Sequence, residues 1–316
     1  MAQHYRIDYK TLERQYKENL SCFREWQKKT NPEALVYVEN FGERMSIDEV
    51  TLQNGELYTV LTNKDKHGKK GCLAALMKGT KSEVVNKVLK EVPVWVLMNV
   101  KEITADLANT MDWICRTNFM NAIITADRFH VQQVVSEAVQ EIRIKYRREA
   151  IEEENFLIVE ARKERRRYEP KRYTNGDTKK QLLARSMYLL FKPRSKWTKS
   201  QKERAEILFR EYPEGKKAYD LSMYFRGIME RDSDRNKAKI EFKKWYEKVN
   251  ISEITELISA AHTIELHEGK ILNYFYHRET NASAESFNAK LKGFRALLRG
   301  VRDIKFFLFR VETLFA

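Results

Sequence analysis

The runs MSIDEV at residues 45–50, LYTVLT at 57–62 and CLAALM at 72–77 decide the fold. Each is a short stretch of apolar and β-branched residues, and turn formers separate them: Asn54-Gly55 after the first and the segment 64–70 after the second. Runs of this length between such turns read as a three-stranded antiparallel meander. Beyond it the period changes. Val84, Val85, Val88, Leu89 and Val92 have helical spacing, VKEITA at 100–105 reads as a fourth strand, 109–116 as a helix and AIITA at 122–126 as a fifth strand. Three strands followed by helix, strand, helix, strand exclude a helical bundle. They predict an α/β fold with a mixed sheet flanked by helices.

Outward from this core the pattern is helical on both sides. Toward the N-terminus, Leu12, Tyr16, Leu20, Phe23 and Trp26 recur every three or four residues, which predicts one amphipathic helix over 9–28, stopped near Asn31-Pro32. Toward the C-terminus, Val131, Val134, Val135, Ala138, Val139 and Ile142 open a long helix, and the charged, helix-favouring sequence after it contains Trp197 and Trp245. An all-helical insertion is expected there. A last helix over 281–298 stops at Gly300, before the aromatic-rich KFFLFRVETLF. The expected organisation is an N-terminal helical segment at 1–40, the first part of the core at 41–130, the helical insertion at 131–275, and the closing helix and tail of the core at 276–316.

Composition limits what such a chain can do. Its 316 residues carry 59 Lys and Arg against 45 Asp and Glu, a net charge of +14, so an acidic partner is expected. Hydrophobic residues make up 42%, which excludes a disordered chain, and 11 Gly with 5 Pro are too few for a turn-rich all-β protein. The N-terminus MAQHYRIDYK has no apolar signal region and no window could span a membrane, so a cytoplasmic, nucleoid-associated protein is expected. Cys22, Cys72 and Cys115 form no CxxC pair. They read as buried reduced thiols, and no zinc is expected.

The acids carry the chemistry. Asp48 lies inside the first strand and Asp106 directly follows the fourth; if these strands pair side by side, both carboxylates project near one edge. Such a pair suits Mg²⁺ or Mn²⁺, although an acid at a strand end is also a common solvated turn residue. Glu285 opens the last helix. At about 100° per residue from it, Asn288, Lys292, Arg295 and Arg299 fall between about 280° and 340°, whereas Phe287, Leu291, Phe294 and Leu298 fall between about 180° and 240°. One face thus holds acid, amide and cations, which suits a metal ligand followed by phosphate contacts and equally suits a solvated amphipathic helix. In TADRFH at 125–130, Asp127 is either the cap of the long helix or, with His130, a border of the site. There is no GxxxxGK[ST] loop, GxGxxG or Ser/His/Asp arrangement.

The strings SIDE at 46–49, ADRFHV at 126–131 and NASAESFNAK at 281–290, in this order, resemble those of bacterial insertion-sequence transposases of the ISL-three type. These are DDE enzymes with an RNase H-like core. The resemblance runs from about residue 40 to the C-terminus. It implies that Asp48, Asp106 and Glu285 are the three catalytic acids and metal ligands, holding two Mg²⁺ or Mn²⁺ ions, with the helical block as the family's insertion. Asp127 competes with Asp106 for second acid, but the RNase H-like order favours the position after the fourth strand.

The implied activity is metal-dependent DNA strand cleavage and strand transfer without a covalent enzyme intermediate. Lys292, Arg295, Arg299, Arg302 and Lys305, with Asn288 and the run at 162–172 containing Arg165, Arg166 and Arg167, are expected to hold DNA through phosphates. Trp197 and Trp245 are expected in packing or, alternatively, stacked on an unpaired base. At least a homodimer on double-stranded DNA is expected. A separate small DNA-binding protein is expected to recognise the element's ends, because the family's zinc-binding and helix-turn-helix region has no counterpart in these residues. The alternatives are an RNase H-like structure-specific nuclease without strand transfer and an inactive, domesticated DNA-binding relic.

Overall fold

A computed structural model describes residues 8–52, 55–278, 281–297 and 303–316. Two compact units divide the chain: Met1–Asp127 with Arg278–Ala316, and Arg128–His277 between them in sequence. The first unit contains six strands, Ala34–Val36 (β1), Arg44–Thr51 (β2), Leu57–Asn63 (β3), Leu73–Lys78 (β4), Glu102–Ala105 (β5) and Ile123–Ala126 (β6). Its α-helices are Tyr9–Gln15 (α1), Phe23–Lys29 (α2), Ser82–Leu89 (α3), Val94–Met98 (α4) and Asn109–Asn118 (α5). After the second unit come Ala282–Leu297 (α14) and Ile304–Phe315 (α15).

The strands form one sheet in the order β1-β4-β3-β2-β5-β6. β2, β3 and β4 make the antiparallel meander, while β5 and β6 run parallel to β2. This is the mixed, RNase H-like α/β core expected from the sequence. Because strand side chains alternate between faces, the sheet builds two separate cores. Val50, Tyr58, Val60 and Leu76 face Phe287 and Leu291 of α14 and Phe306, Phe307 and Leu308 of α15. Met45, Ile47, Leu61, Ile103 and Ala105 face Val85 and Leu89 of α3 and Met111, Ile114 and Cys115 of α5.

Several elements depart from the sequence expectation. The single helix over 9–28 is broken: a π-helical turn at Tyr16–Leu20 follows α1, and Ser21 is extended before α2 begins. The break lets Phe23 and Trp26 pack beside Phe306 and Phe309. The Trp26 indole N–H and the Tyr37 hydroxyl both donate to Glu312, and that charge pushes the Tyr37 phenol, already raised by burial, far above its ordinary range. The three-residue β1 is too short for its alternation to be read. The aromatic tail is a helix, α15, with Asp303 accepting from the Phe306 N–H at 3.1 Å as its cap. Four consecutive residues, Phe306 to Phe309, are buried in it. Cys22 is exposed, whereas Cys72 and Cys115 are buried as expected.

The buried arc of α14 is wider than its apolar stripe. Phe287 and Leu291 are fully buried, but so is Arg295, at 2% exposure, and Asn288 is at 7%. Arg295 reaches Glu56 at 3.4 Å and lies over the Phe307 ring. The expectation that it contacts DNA is therefore corrected: α14 packs beside α15 on the sheet, and Glu56 with Phe307 encloses the position about 40° beyond its apolar stripe. Glu285 and Lys292 remain exposed.

The second unit is helical, comprising Arg128–Lys163 (α6), Lys179–Arg185 (α7), Met187–Leu190 (α8), Lys199–Glu211 (α9), Pro213–Glu230 (α10), Arg235–Ser252 (α11), Thr255–Leu266 (α12) and Glu268–His277 (α13). Thr178 and Thr198 each form a reciprocal capping box, with Gln181 and Gln201, at the starts of α7 and α9. Trp245 is fully buried against Phe225, and its N–H donates to the Leu221 carbonyl at 3.0 Å. Trp197 donates to the Leu189 carbonyl at 2.8 Å and packs on Phe209 and Tyr219. Trp245 is thus a packing residue and its base-stacking alternative is corrected, whereas Trp197 packs on its neighbours while remaining half-buried. Buried Asp177 accepts from Arg185 and Arg204, which hold its carboxyl below the usual range against the opposing effect of burial.

Arg295→Ala leaves Glu56 without its cation in a largely dry site and is expected to lower the unfolding free energy by about 3 kcal/mol. Lys292→Ala, on the exposed arc of the same helix, is expected to change it by less than about 0.5 kcal/mol. Urea denaturation of both variants checks the contrast.

Candidate active site

The site begins with strand register. Arg44, Met45 and Ser46 of β2 pair with Glu102, Ile103 and Thr104 of β5, so two further residues along each chain bring Asp48 opposite Asp106. β5 pairs with β6 from Glu102↔Ile123 to Ala105↔Ala126, and the Asp127 N–H donates to the Ala105 carbonyl at 2.7 Å, which extends the row to Asp127. Three carboxylates therefore lie at one level on three adjacent parallel strands, Asp48 within β2 and Asp106 and Asp127 just past the ends of β5 and β6. Neighbouring strands lie about 4.8 Å apart. One level below on the same face, Ser46, Thr104 and Thr125 form a fully buried hydroxyl row. Lys64, only 5% exposed, donates to the Thr104 hydroxyl at 2.7 Å from beneath the acids.

α14 docks on this face. The Asn288 amide donates to Asp48 Oδ2 at 2.7 Å, while Asp48 Oδ1 accepts from the Glu49 N–H at 2.8 Å. Glu285 lies one helical turn before Asn288, and its own N–H donates to the Asn281 carbonyl at 2.8 Å. Asn281, 1% exposed, precedes the helix; its N–H donates to Asp127 Oδ1 at 3.3 Å and its side-chain oxygen accepts from the Ser46 hydroxyl. Asp106 is only half-buried, and one of its oxygens accepts from the Ala108 N–H at 2.9 Å. Asp127 is 1% exposed.

Electrostatics mark the convergence. The Glu49 carboxyl is raised above its ordinary range by partial burial and by the negative charges of Asp106 and Asp48. The donor set suits a hard divalent cation: carboxylate oxygens on adjacent strands, with Asn288 Oδ1 buried beside them and lacking a hydrogen-bond partner among the described residues. Among the described residues no group of three or more His, Cys, Asp or Glu side chains is placed to hold a metal ion, so the fit rests on the Asp48 and Asp106 pair.

Of the other residues singled out in the sequence, Lys292 and Lys305 are exposed in this unit. Arg299 and Arg302 lie outside the described residues. Arg165, Arg166 and Arg167 are exposed in the helical unit, with Arg166 paired to Glu164. His130 belongs to that unit too, in the first turn of α6 and edge-on to Phe129. Asn281, Ser46, Thr104 and Lys64 were not recognised as site residues. Only Asn281 had a local signal, an Asn directly before a helix.

A transposase family, of the DDE class and ISL-three type, matches residues 45–311. The chain belongs to this family. No curated protein matches it. The match runs from Met45 in β2 through β6, Asp48, Asp106 and α14, so the transposase family accounts for the α/β core and makes this a DNA-processing protein. Among the described residues no helix is long and apolar enough to cross a membrane.

Glu49 gives the transposase a measurable pH signature. A carboxyl whose folded pKa is raised opposes folding once it ionises, above its ordinary value of 4.5, and this opposition disappears as pH falls through that range. Glu49→Gln is therefore expected to raise the melting temperature at pH 7 and to leave it nearly unchanged at pH 4. An equal shift at both pH values would exclude the charge-repulsion origin.

Proposed function

We propose that this transposase cleaves DNA strands at the ends of an insertion sequence and joins them to a target, with Asp48, Asp106 and Glu285 as its catalytic acids. The observation that carries this reading is the register of β2 and β5, which brings Asp48 opposite Asp106 on the face where α14 carries Glu285. Asp106 is favoured over Asp127 as second acid because it neighbours Asp48 directly and is half-buried, whereas Asp127 is enclosed and bonded to Asn281.

The three acids would hold two divalent ions, Mg²⁺ or Mn²⁺. Such ions, when bound, neutralise phosphate charge and ease ionisation of an attacking hydroxyl. Asn288, through its amide on Asp48 Oδ2, fixes the direction of that carboxylate. Water attacks a phosphodiester in line and frees a 3′-hydroxyl, which then attacks the target strand. Exposed Lys292 and Lys305 hold the DNA backbone on the core unit, and Arg165, Arg166 and Arg167 do so on the helical unit. Joining two ends calls for at least two copies of the chain on DNA.

Asp48→Ala, Asp106→Ala and Glu285→Ala are each expected to reduce strand cleavage on the order of 10³-fold or more, with DNA binding largely retained. Gel-based cleavage and binding assays in Mg²⁺ check this, and a fully active variant removes its residue from the acid set. With a target duplex supplied, joined products are expected; cleavage without joining would indicate a structure-specific nuclease instead. DNA affinity should fall steeply with salt, and Lys292→Ala should reduce the slope of log affinity against log salt by about 1. A slope unchanged by Lys292→Ala would exclude that phosphate contact.

A further inference from the structure

Asp127, Ser46 and Asn281 come from three distant parts of the chain, and each is at most 1% exposed. They meet where α14 begins. Asp127 Oδ1 takes the Asn281 N–H at 3.3 Å, and the Ser46 hydroxyl donates to the Asn281 side-chain oxygen. The Asn281 carbonyl in turn accepts the N–H of Glu285 at 2.8 Å, the first-turn bond of the helix. One asparagine thus ties the end of β6 and the middle of β2 to the residue proposed as third acid. A second tie, Asn288 to Asp48, lies one turn further along the same helix.

We infer that Asp127 is a positioning residue: with Ser46 it clamps Asn281 and so fixes where α14 presents Glu285 relative to Asp48 and Asp106. This rests on the acid assignment proposed above. The enclosure of Asp127 fits the role. A buried carboxyl oxygen needs a hydrogen-bond partner, and here the donor is backbone that leads directly into the helix. The hydroxyl row beneath supports the same geometry, because Ser46 pairs with Thr104, which Lys64 holds from below. The clamp requires an acceptor at position 127 but no metal-binding charge. Asparagine supplies the acceptor and alanine does not.

The test uses the full chain without metal or DNA first. By hydrogen–deuterium exchange, Asp127→Ala is expected to lose protection at the amides of 284–288 on the order of tenfold, with β3 and β4 unchanged, while Asp127→Asn stays near wild type. Ser46→Ala is expected to give a smaller loss in the same place and serves if Asp127→Ala does not fold. With Mg²⁺ and DNA, Asp127→Ala should lower kcat with little change in KM, and Asp127→Asn should restore most of it. Unchanged protection in both Asp127→Ala and Ser46→Ala would overturn the clamp. So would an Asp127→Asn variant as impaired as Asp127→Ala, which is the behaviour of a metal ligand. The exchange arm is independent of the acid assignment, so lost protection there upholds the clamp even if Asp48→Ala still cleaves.

Discussion

The parallel pairing of β5 beside β2 is the constraint on which the rest of the core depends. It fixes Asp106 against Asp48 through backbone hydrogen bonds, at a separation where two ionised carboxylates repel. Glu49 senses the negative charge of both, its carboxyl being raised by burial and by Asp106 and Asp48. A fold that keeps such a row must compensate for it. Here the compensation comes from donors aimed at the acids: the Asn288 amide on Asp48, the Ala108 N–H on Asp106 and the Asn281 N–H on Asp127.

The same alternation that aligns the acids separates the two cores. Residues 46, 48 and 50 of β2 face α14, and residues 45 and 47 face α3 and α5. Below the acid row the α14 face is polar, with hydroxyls and Lys64. Beyond it the face becomes aromatic, where Phe287 meets Phe315 and Phe294 stacks on Phe307. One helix therefore serves both regions. Its apolar stripe anchors it to the sheet, and its first turns, tied through Asn281 and Asn288, carry the acid.

Much of this was legible in the sequence. The three opening strands, the alternation of helix and strand to Ala126, and the placement of Asp48 inside a strand and Asp106 just after one followed from apolar runs and turn residues. The motif resemblance supplied the family and the proposal that Glu285 on α14 is the third acid. Elements that failed were those whose burial was complete or whose length was short. Phe306 to Phe309 of α15 are buried in succession, β1 is three residues long, and the break at Ser21 serves the packing of Phe23 and Trp26 on a helix nearly 300 residues away. Arg295 misled for a related reason. A cation on the polar side of a helical wheel is exposed only if nothing covers that side, and α15 with Glu56 covers it.

What the sequence by itself determined was the local content of the core, because strand period, turn chemistry and acid placement are properties of neighbouring residues. What tertiary structure alone decided was register and enclosure. Asp48, Asp106 and Asp127 are equivalent in sequence, each an acid in or after a strand, yet their hydrogen-bond partners differ. Asp48 is held by Asn288, Asp106 is left half-buried beside it, and Asp127 is enclosed on the Asn281 backbone. Those partners lie more than 150 residues away along the chain, and only the docking of α14 on the finished sheet brings them to the acids.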